Sequence, residues 1–214
     1  MARIVVLGAG GQVGQSIVAE AVKRGHEVTA VDQDKNSLNG ISRQANAVAG
    51  DVTSRDVIQK QAQNADVVVV ALTGSARPEH ANAARAIVDV AGKLGNKAPA
   101  VIQVSSGGLL ENTDGERILD TKDFPASERK EALDQADALD VLRAAKGSVK
   151  WSSIAPPPRN FGPGRRRDAY RTASDRPVVD AQGNIGISYE DFALAVIDEV
   201  EKPRFRNKRY TVGN

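Results

Sequence analysis

A β-branched run, Arg3–Leu7, flows straight into glycines at Gly8, Gly10, Gly11 and Gly14, and a helical pattern opens inside that turn. Few folds accept such a segment. Gly8, Gly11 and Gly14 give G-x-x-G-x-x-G between a strand and a helix. Glycine serves there because the turn needs unusual backbone angles, the chain must approach a pyrophosphate closely, and the helix must pack tightly on the sheet. The helix start then turns unpaired N–H groups and the positive end of its dipole toward the phosphates. Gly8, Gly10, Gly11, Gln12, Val13 and Gly14 are the expected phosphate cradle. A tight turn without a ligand is the alternative for the motif alone; a βαβ context and an acid ending the next strand favour the nucleotide.

That context is present. Short β-branched runs at Arg3–Leu7, Glu27–Val31, Ala45–Val48, Val67–Leu72, Ala100–Val104 and Lys150–Ile154 alternate with longer helical patterns. This is how a parallel sheet covered on both faces is written in sequence. One helix runs from the glycine turn to near Arg24, with Gly25 as its C-cap. Another opens at Thr53 and Asp56, in capping-box spacing. A third runs from Pro78 to about Leu94, and a fourth from about Pro125 to Lys146 with Leu133, Ala136, Leu139 and Leu142 on one face. A late helix, Tyr189 to Val200, follows Ser188 and Asp191 in capping-box spacing, and "RYTV" reads as a final strand. The expected fold is α/β: a doubly wound, mostly parallel sheet with helices on both faces. Residues 155–187, rich in Pro, Gly and Arg, form a small C-terminal excursion on the substrate side of one domain spanning 1–214.

Asp32 ends the second strand, 18 residues after Gly14. A carboxylate there accepts both ribose hydroxyls of adenosine and repels a 2′-phosphate. Asp34 adds negative charge, and neither Gln12 nor Gln33 supplies the arginine that a phosphorylated ribose prefers. NAD(H) is therefore favoured over NADP(H), with Lys35 the one dissenting residue. The stretch "DQDKN" also reads as plain turn chemistry.

Composition narrows the chemistry. Of 214 residues none is cysteine, which removes disulfides, thiolate catalysis and cysteine-ligated zinc, and the two histidines, His26 and His80, make no His-rich metal site. A formal charge of +2 gives no general reason to expect nucleic acid. No stretch approaches the roughly 18 apolar residues of a spanning helix, and "MARIVVLGAG" carries no cleavage site, so no membrane partner and a cytoplasmic location are expected.

The glycine turn, "GDV" at Gly50–Val52, "VSSGG" at Val104–Gly108 and "APPPRNFGPGRR" at Ala155–Arg166 together resemble the NmrA-like, NADH-flavin reductase group of atypical short-chain dehydrogenases. The likeness extends to the closing "ISYEDFALAVIDEVEKP". It implies a Rossmann domain in which Asp51 and Val52 flank the adenine, and Ala71, Leu72 and Thr73 follow the fourth strand beside the cofactor. It also implies that Ser105 and Ser106 sit by the nicotinamide, with Pro156 and Pro157 shaping the backbone next to its carboxamide. Read from the residues alone, Asp51 could simply end a strand, and the serines could satisfy a strand terminus.

Tyrosine-dependent members of this superfamily draw a proton from a Tyr-x-x-x-Lys pair. Here Tyr170, Tyr189 and Tyr210 all lack a lysine four residues on, and where the pair would fall Arg129 precedes Lys130. The chemistry that survives is hydride transfer to a flavin, quinone or similar conjugated acceptor, which spreads the incoming charge and takes its proton from solvent. Ser105 is the candidate for polarising the acceptor, and Arg129, Phe161 and Arg165 are the candidate substrate contacts. Six arginines between Arg159 and Arg176 could clamp the phosphate of FMN or another anion, or form a solvated loop. With only Phe161 and Tyr170 among them, they do not suggest nucleic acid. The competing function is a dinucleotide-binding redox sensor with little or no catalysis. Homo-oligomerisation is left open.

Overall fold

The computed structural model describes residues 1–72, 79–145, 147 and 149–214. In chain order the elements are β1 (Arg3–Leu7), α1 (Gln12–Lys23), β2 (Glu27–Asp32), β3 (Asn46–Ala49), α2 (Arg55–Ala62), β4 (Val67–Val70), α3 (Glu79–Leu94), β5 (Ala100–Val104), α4 (Ala126–Ala144), β6 (Trp151–Ala155), β7 (Phe161–Gly162), β8 (Arg171–Ala173), β9 (Ile187–Ser188), α5 (Tyr189–Glu201) and β10 (Lys208–Gly213). An eight-stranded sheet has the order β3-β2-β1-β4-β5-β6-β10-β8, and only the β10–β8 pair is antiparallel. The chain steps outward from β1 to β3, then crosses back to lay β4 on the other side of β1. The reversal opens a crevice at the carboxyl ends of β1 and β4, where open α/β sheets hold ligands.

Each face of the sheet has its own core because strand side chains alternate. Ile4 and Val6 join the side packed by α1 and α5, with Ile17, Phe192 and Val196. Val5 and Leu7 join the opposite side, with Val68, Ile87, Leu139 and Trp151 under α2, α3 and α4. Helix ends follow the local chemistry: beyond α1, Gly25 takes φ +78° and its N–H reaches Val22 O at 2.9 Å, a left-handed stop.

Three sequence expectations are corrected. α2 is capped by Ser54, whose hydroxyl accepts from Val57 N, because the Thr53 hydroxyl is spent on Asp51 at 2.7 Å. β4 stops at Val70 rather than Leu72, where the Ala71 carbonyl turns to abut Gly8. Leu133 is 44% exposed, and α4 instead buries Asp134 and Gln135. The Asp134 carboxylate accepts the backbone N–H groups of His80 and Ala81 at 2.9 and 3.2 Å, so α4 caps the start of α3 and must turn a polar side chain inward to do so. His80 is buried with it, beside a small cavity that Val70, Ile87 and Gln103 also line. The expected start of α3 at Pro78 lies outside the described residues.

The 155–187 excursion is tied down at both arms. β7 pairs with β9, β8 extends the main sheet beside β10, and Arg166 reaches the buried Glu20 of α1. At α5, Ser188 Oγ accepts from Asp191 N at 3.0 Å as the spacing predicts. The Asp191 carboxylate does not complete a capping box; it accepts the backbone N–H groups of Arg167 and Asp168 at 3.0 Å.

Candidate functional site

The turn after β1 is built so tightly that Gly8 and Gly14 leave no room for a side chain. Gly8 has φ +81°, and a Cβ there would stand 2.6 Å from the Ala71 carbonyl oxygen. One on Gly14 would stand 2.2 Å from Gly8 O, so α1 rests directly on the turn. Gly11 occupies the N-cap of α1 with no side-chain cap. The backbone N–H groups of Gln12, Val13 and Gly14 have no protein acceptor among the described residues. Three donors at the positive end of a 12-residue helix are thus left for an anion.

Asp32 closes the other side. Its Oδ2 accepts from Gly10 N at 2.9 Å and its Oδ1 from Asp34 N at 3.1 Å, which leaves a lone pair on each oxygen for a ligand hydroxyl. Beside it opens a cavity of about 360 Å³, lined in part by Gly10, Asp32, Ser37, Val52, Leu72 and Glu79. Gln33 also lines it and donates to Glu79 Oε1 at 3.2 Å. Asp32, Asp34 and Glu79 put three carboxylates on this wall, and among the described lining residues there is no lysine or arginine. Ser37 and Glu79 were not singled out from the sequence: Ser37 sits in an ordinary turn, and Glu79 is brought in only by the packing of α3.

The other expected positions divide. Val52 and Leu72 line the cavity, and buried Ala71 backs the glycine turn. The Asp51 carboxylate faces its own turn, accepting from Thr53 N at 2.8 Å. Thr73 lies outside the described residues. Ser105 is 2% exposed, with its hydroxyl 3.4 Å from Ile154 O, and Ser106 Oγ accepts from Gly108 N at 2.9 Å. Both hydroxyls therefore meet backbone groups, which makes "SSGG" a well-satisfied corner. Gly107 is required by the proline run, since a Cβ there would lie 2.7 Å from Pro156 O and from Pro158 Cα. Pro156 and Pro157 are buried at the carboxyl end of β6.

Arg129 serves as a brace: its guanidinium donates to the carbonyls of Leu119 and Thr121 and lies 5.7 Å from the centroid of the Phe124 ring. Phe161 packs edge-on to Tyr189, with centroids 4.8 Å apart, and lines a second, larger groove together with Arg165. Tyr170 and Tyr210 are poor proton donors. Burial, together with a 2.7 Å hydrogen bond to Asp198, pushes the Tyr170 phenol above its ordinary range. Burial does the same to Tyr210. A phenol serving as an acid near neutral pH needs the opposite shift.

A doubly wound sheet with a glycine cradle, an uncapped helix start and an acid at the tip of β2 defines a dinucleotide-binding Rossmann protein. The NAD(P)H-binding family model matches residues 8–203, and the chain belongs to that family. It is 31% identical to the uncharacterised protein YwnB of Bacillus subtilis (strain 168) over 98% of this chain and 97% of that one. Among solved structures it is similar to a candidate exported protein of Burkholderia pseudomallei, with TM-score 0.86, 33% identity and full coverage of both chains. It is also similar to a candidate NADH-flavin reductase of Streptococcus pneumoniae TIGR4, with TM-score 0.82, 29% identity and full coverage of both chains. No helix among the described residues is long and apolar enough to cross a membrane.

Proposed function

We propose that this chain is an NADH-preferring reductase that delivers hydride to a flavin, quinone or similar conjugated acceptor. The observation that carries the reading is a dinucleotide cradle in a chain without a Tyr-x-x-x-Lys pair: three free N–H groups and Asp32 stand ready for the cofactor, while the phenols of Tyr170 and Tyr210 are held above their ordinary range. The glycine turn and the start of α1 would hold the diphosphate, and Asp32 the adenosine ribose. Val52 and Leu72 would supply an apolar wall for the adenine. The carboxylates of Asp32, Asp34 and Glu79 would repel a 2′-phosphate, which supports NADH over NADPH. Bound NADH supplies one hydride to the acceptor, and solvent supplies the balancing proton. The protein's task is orientation at the carboxyl ends of β5 and β6, where Ser105 and the buried proline run shape the wall. The family's name-bearing neighbour from Streptococcus pneumoniae supports a flavin as the acceptor class.

A dinucleotide-reporting sensor is the second reading, favoured by the Ser105 and Ser106 hydroxyls meeting backbone groups rather than standing free. Steady-state oxidation of NADH and NADPH with FMN, riboflavin and quinones, alongside direct binding of NADH and NAD⁺, separates the two. Turnover with at least one conjugated acceptor is the expected result. Tight NADH binding without turnover on any of them would overturn the reductase in favour of the sensor.

A further inference from the structure

At the same sheet edge, beyond the carboxyl ends of β6 and β10, the excursion encloses a groove of about 1090 Å³. Its walls mix apolar surface from Phe161, Pro163 and Ile187 with the side chains of three consecutive arginines, Arg165 to Arg167. Charge bookkeeping within this groove is lopsided. Its two carboxylates are already engaged: Asp168 accepts from Arg166, and Asp180 accepts from Gln182 N, Asn184 N and Asn184 Nδ2 at 2.7 to 3.0 Å. Arg166 is likewise consumed, bridging to buried Glu20. The side chains of Arg165 and Arg167 have no acceptor among the described residues.

These two cations stand on a pinned backbone. Asp191 holds the N–H groups of Arg167 and Asp168. Asp168 adopts φ +55°, and Asn160 latches the opposite arm by donating to Ile185 O at 2.8 Å. Arg166 turns to Glu20 of α1, while Arg165 and Arg167 both stand exposed and line one groove. The planar fork of each suits a dianion received by both.

We propose that Arg165 and Arg167 form a phosphate-recognition site, so that the acceptor is a conjugated ring carrying a phosphomonoester, its ring against the apolar wall and its phosphate between the two arginines. The proposal rests on the reductase reading for the ring but not for the phosphate. FMN and riboflavin share one isoalloxazine and differ only in that group, so their ratio isolates it. Binding is read from quenching of flavin fluorescence, with no NADH present. The wild-type chain should bind FMN about tenfold or more tighter than riboflavin, as charge-assisted bonds to a phosphate require, and inorganic phosphate should weaken FMN binding alone. In R165Q/R167Q the FMN-to-riboflavin ratio should fall to about one, with thermal unfolding confirming that the variant is folded. Arg159→Gln, in the same excursion but outside the groove, should keep the wild-type ratio. Equal binding of the two flavins by the wild type, no flavin binding, or a preference that survives in R165Q/R167Q overturns the proposal. Phosphate-dependent FMN binding without NADH oxidation would sink the reductase and leave this site standing; equal turnover of both flavins would do the reverse.

Discussion

Replacing Gly10 by alanine separates two demands that the glycine turn makes. The added Cβ would stand 1.9 Å from Ser37 Oγ, 2.5 Å from Ser37 Cβ and 3.0 Å from Asp32 Oδ2. Rotation of the hydroxyl relieves the first contact, but the second requires the backbone to move. That backbone is held, because Ser37 Oγ donates to Asp34 O at 2.7 Å and Gly10 N to Asp32 at 2.9 Å. Overpacking of this kind costs about 1–3 kcal/mol, and each kcal/mol lowers the Tm of a chain this long by about 2–4 °C. Adding Ser37→Ala should not help, since its Cβ is one of the clashing atoms. Adding Ser37→Gly should restore all but about 1 kcal/mol, the conformational cost of a new glycine. Affinity should not follow stability. The methyl in G10A/S37G still crowds the Asp32 carboxylate, where the ribose is to be received, so NADH should bind about tenfold or more weakly even after the urea midpoint has recovered. Full recovery of both stability and NADH affinity in the double variant would refute this reasoning, because Gly10 would then be needed only to clear Ser37. An unchanged midpoint in the single variant would refute the packing itself.

Asp32→Ala should weaken NADH by about 10- to 100-fold, the loss of hydrogen bonds to a charged group, and narrow discrimination against NADPH; equal titrations of wild type and variant would remove Asp32 from the cofactor. Ser105→Ala should lower kcat by less than about tenfold with a flavin acceptor, whereas a drop of about 10²–10⁴ would reveal a proton-transfer role. Glu20→Gln should destabilise at pH 7 by about 3 kcal/mol, the lower end for breaking a buried ion pair. That end is chosen because Arg24 and Arg166 keep 19% and 26% of their side-chain surface in water. Burial raises the Glu20 carboxyl, but hydrogen bonds from Arg166 and Arg24 outweigh it and hold the group below its usual range. A depressed folded-state pKa makes its contribution complete above the unfolded value of about 4.3 and lost as pH falls through the folded one. Urea curves of wild type and Glu20→Gln should therefore converge in acid; a gap that persists at the lowest pH would contradict the assignment.

Local chemistry wrote much of the fold into the chain. The valine- and isoleucine-rich runs marked the central strands because both their faces are buried, and Gly25 and Ser188 marked helix ends because backbone geometry demands them. What was hidden depends on distant partners. Leu133 looked like core by its spacing, yet the inward position of α4 went to Asp134 because two N–H groups of α3 needed an acceptor. β8 carries only Arg171, Thr172 and Ala173, too little pattern to announce a strand, and exists because β10 offers it an edge. At the candidate site the glycines and Asp32 were legible from spacing, since turn geometry fixes them. Glu79 became visible only once α3 had been placed across from Gln33. Arg129 stood at the right place for a substrate contact, but its reach to two carbonyls depends on a short turn, Ile118–Asp120, that no periodicity reveals.

The two outermost strands of the main sheet, β3 and β8, span only 4 and 3 residues. A strand that short offers an incoming chain few hydrogen bonds, and Arg171 and Thr172 dress the β8 side with polar bulk. Zippering of one molecule's ribbon onto another's is therefore discouraged at either end of the main sheet.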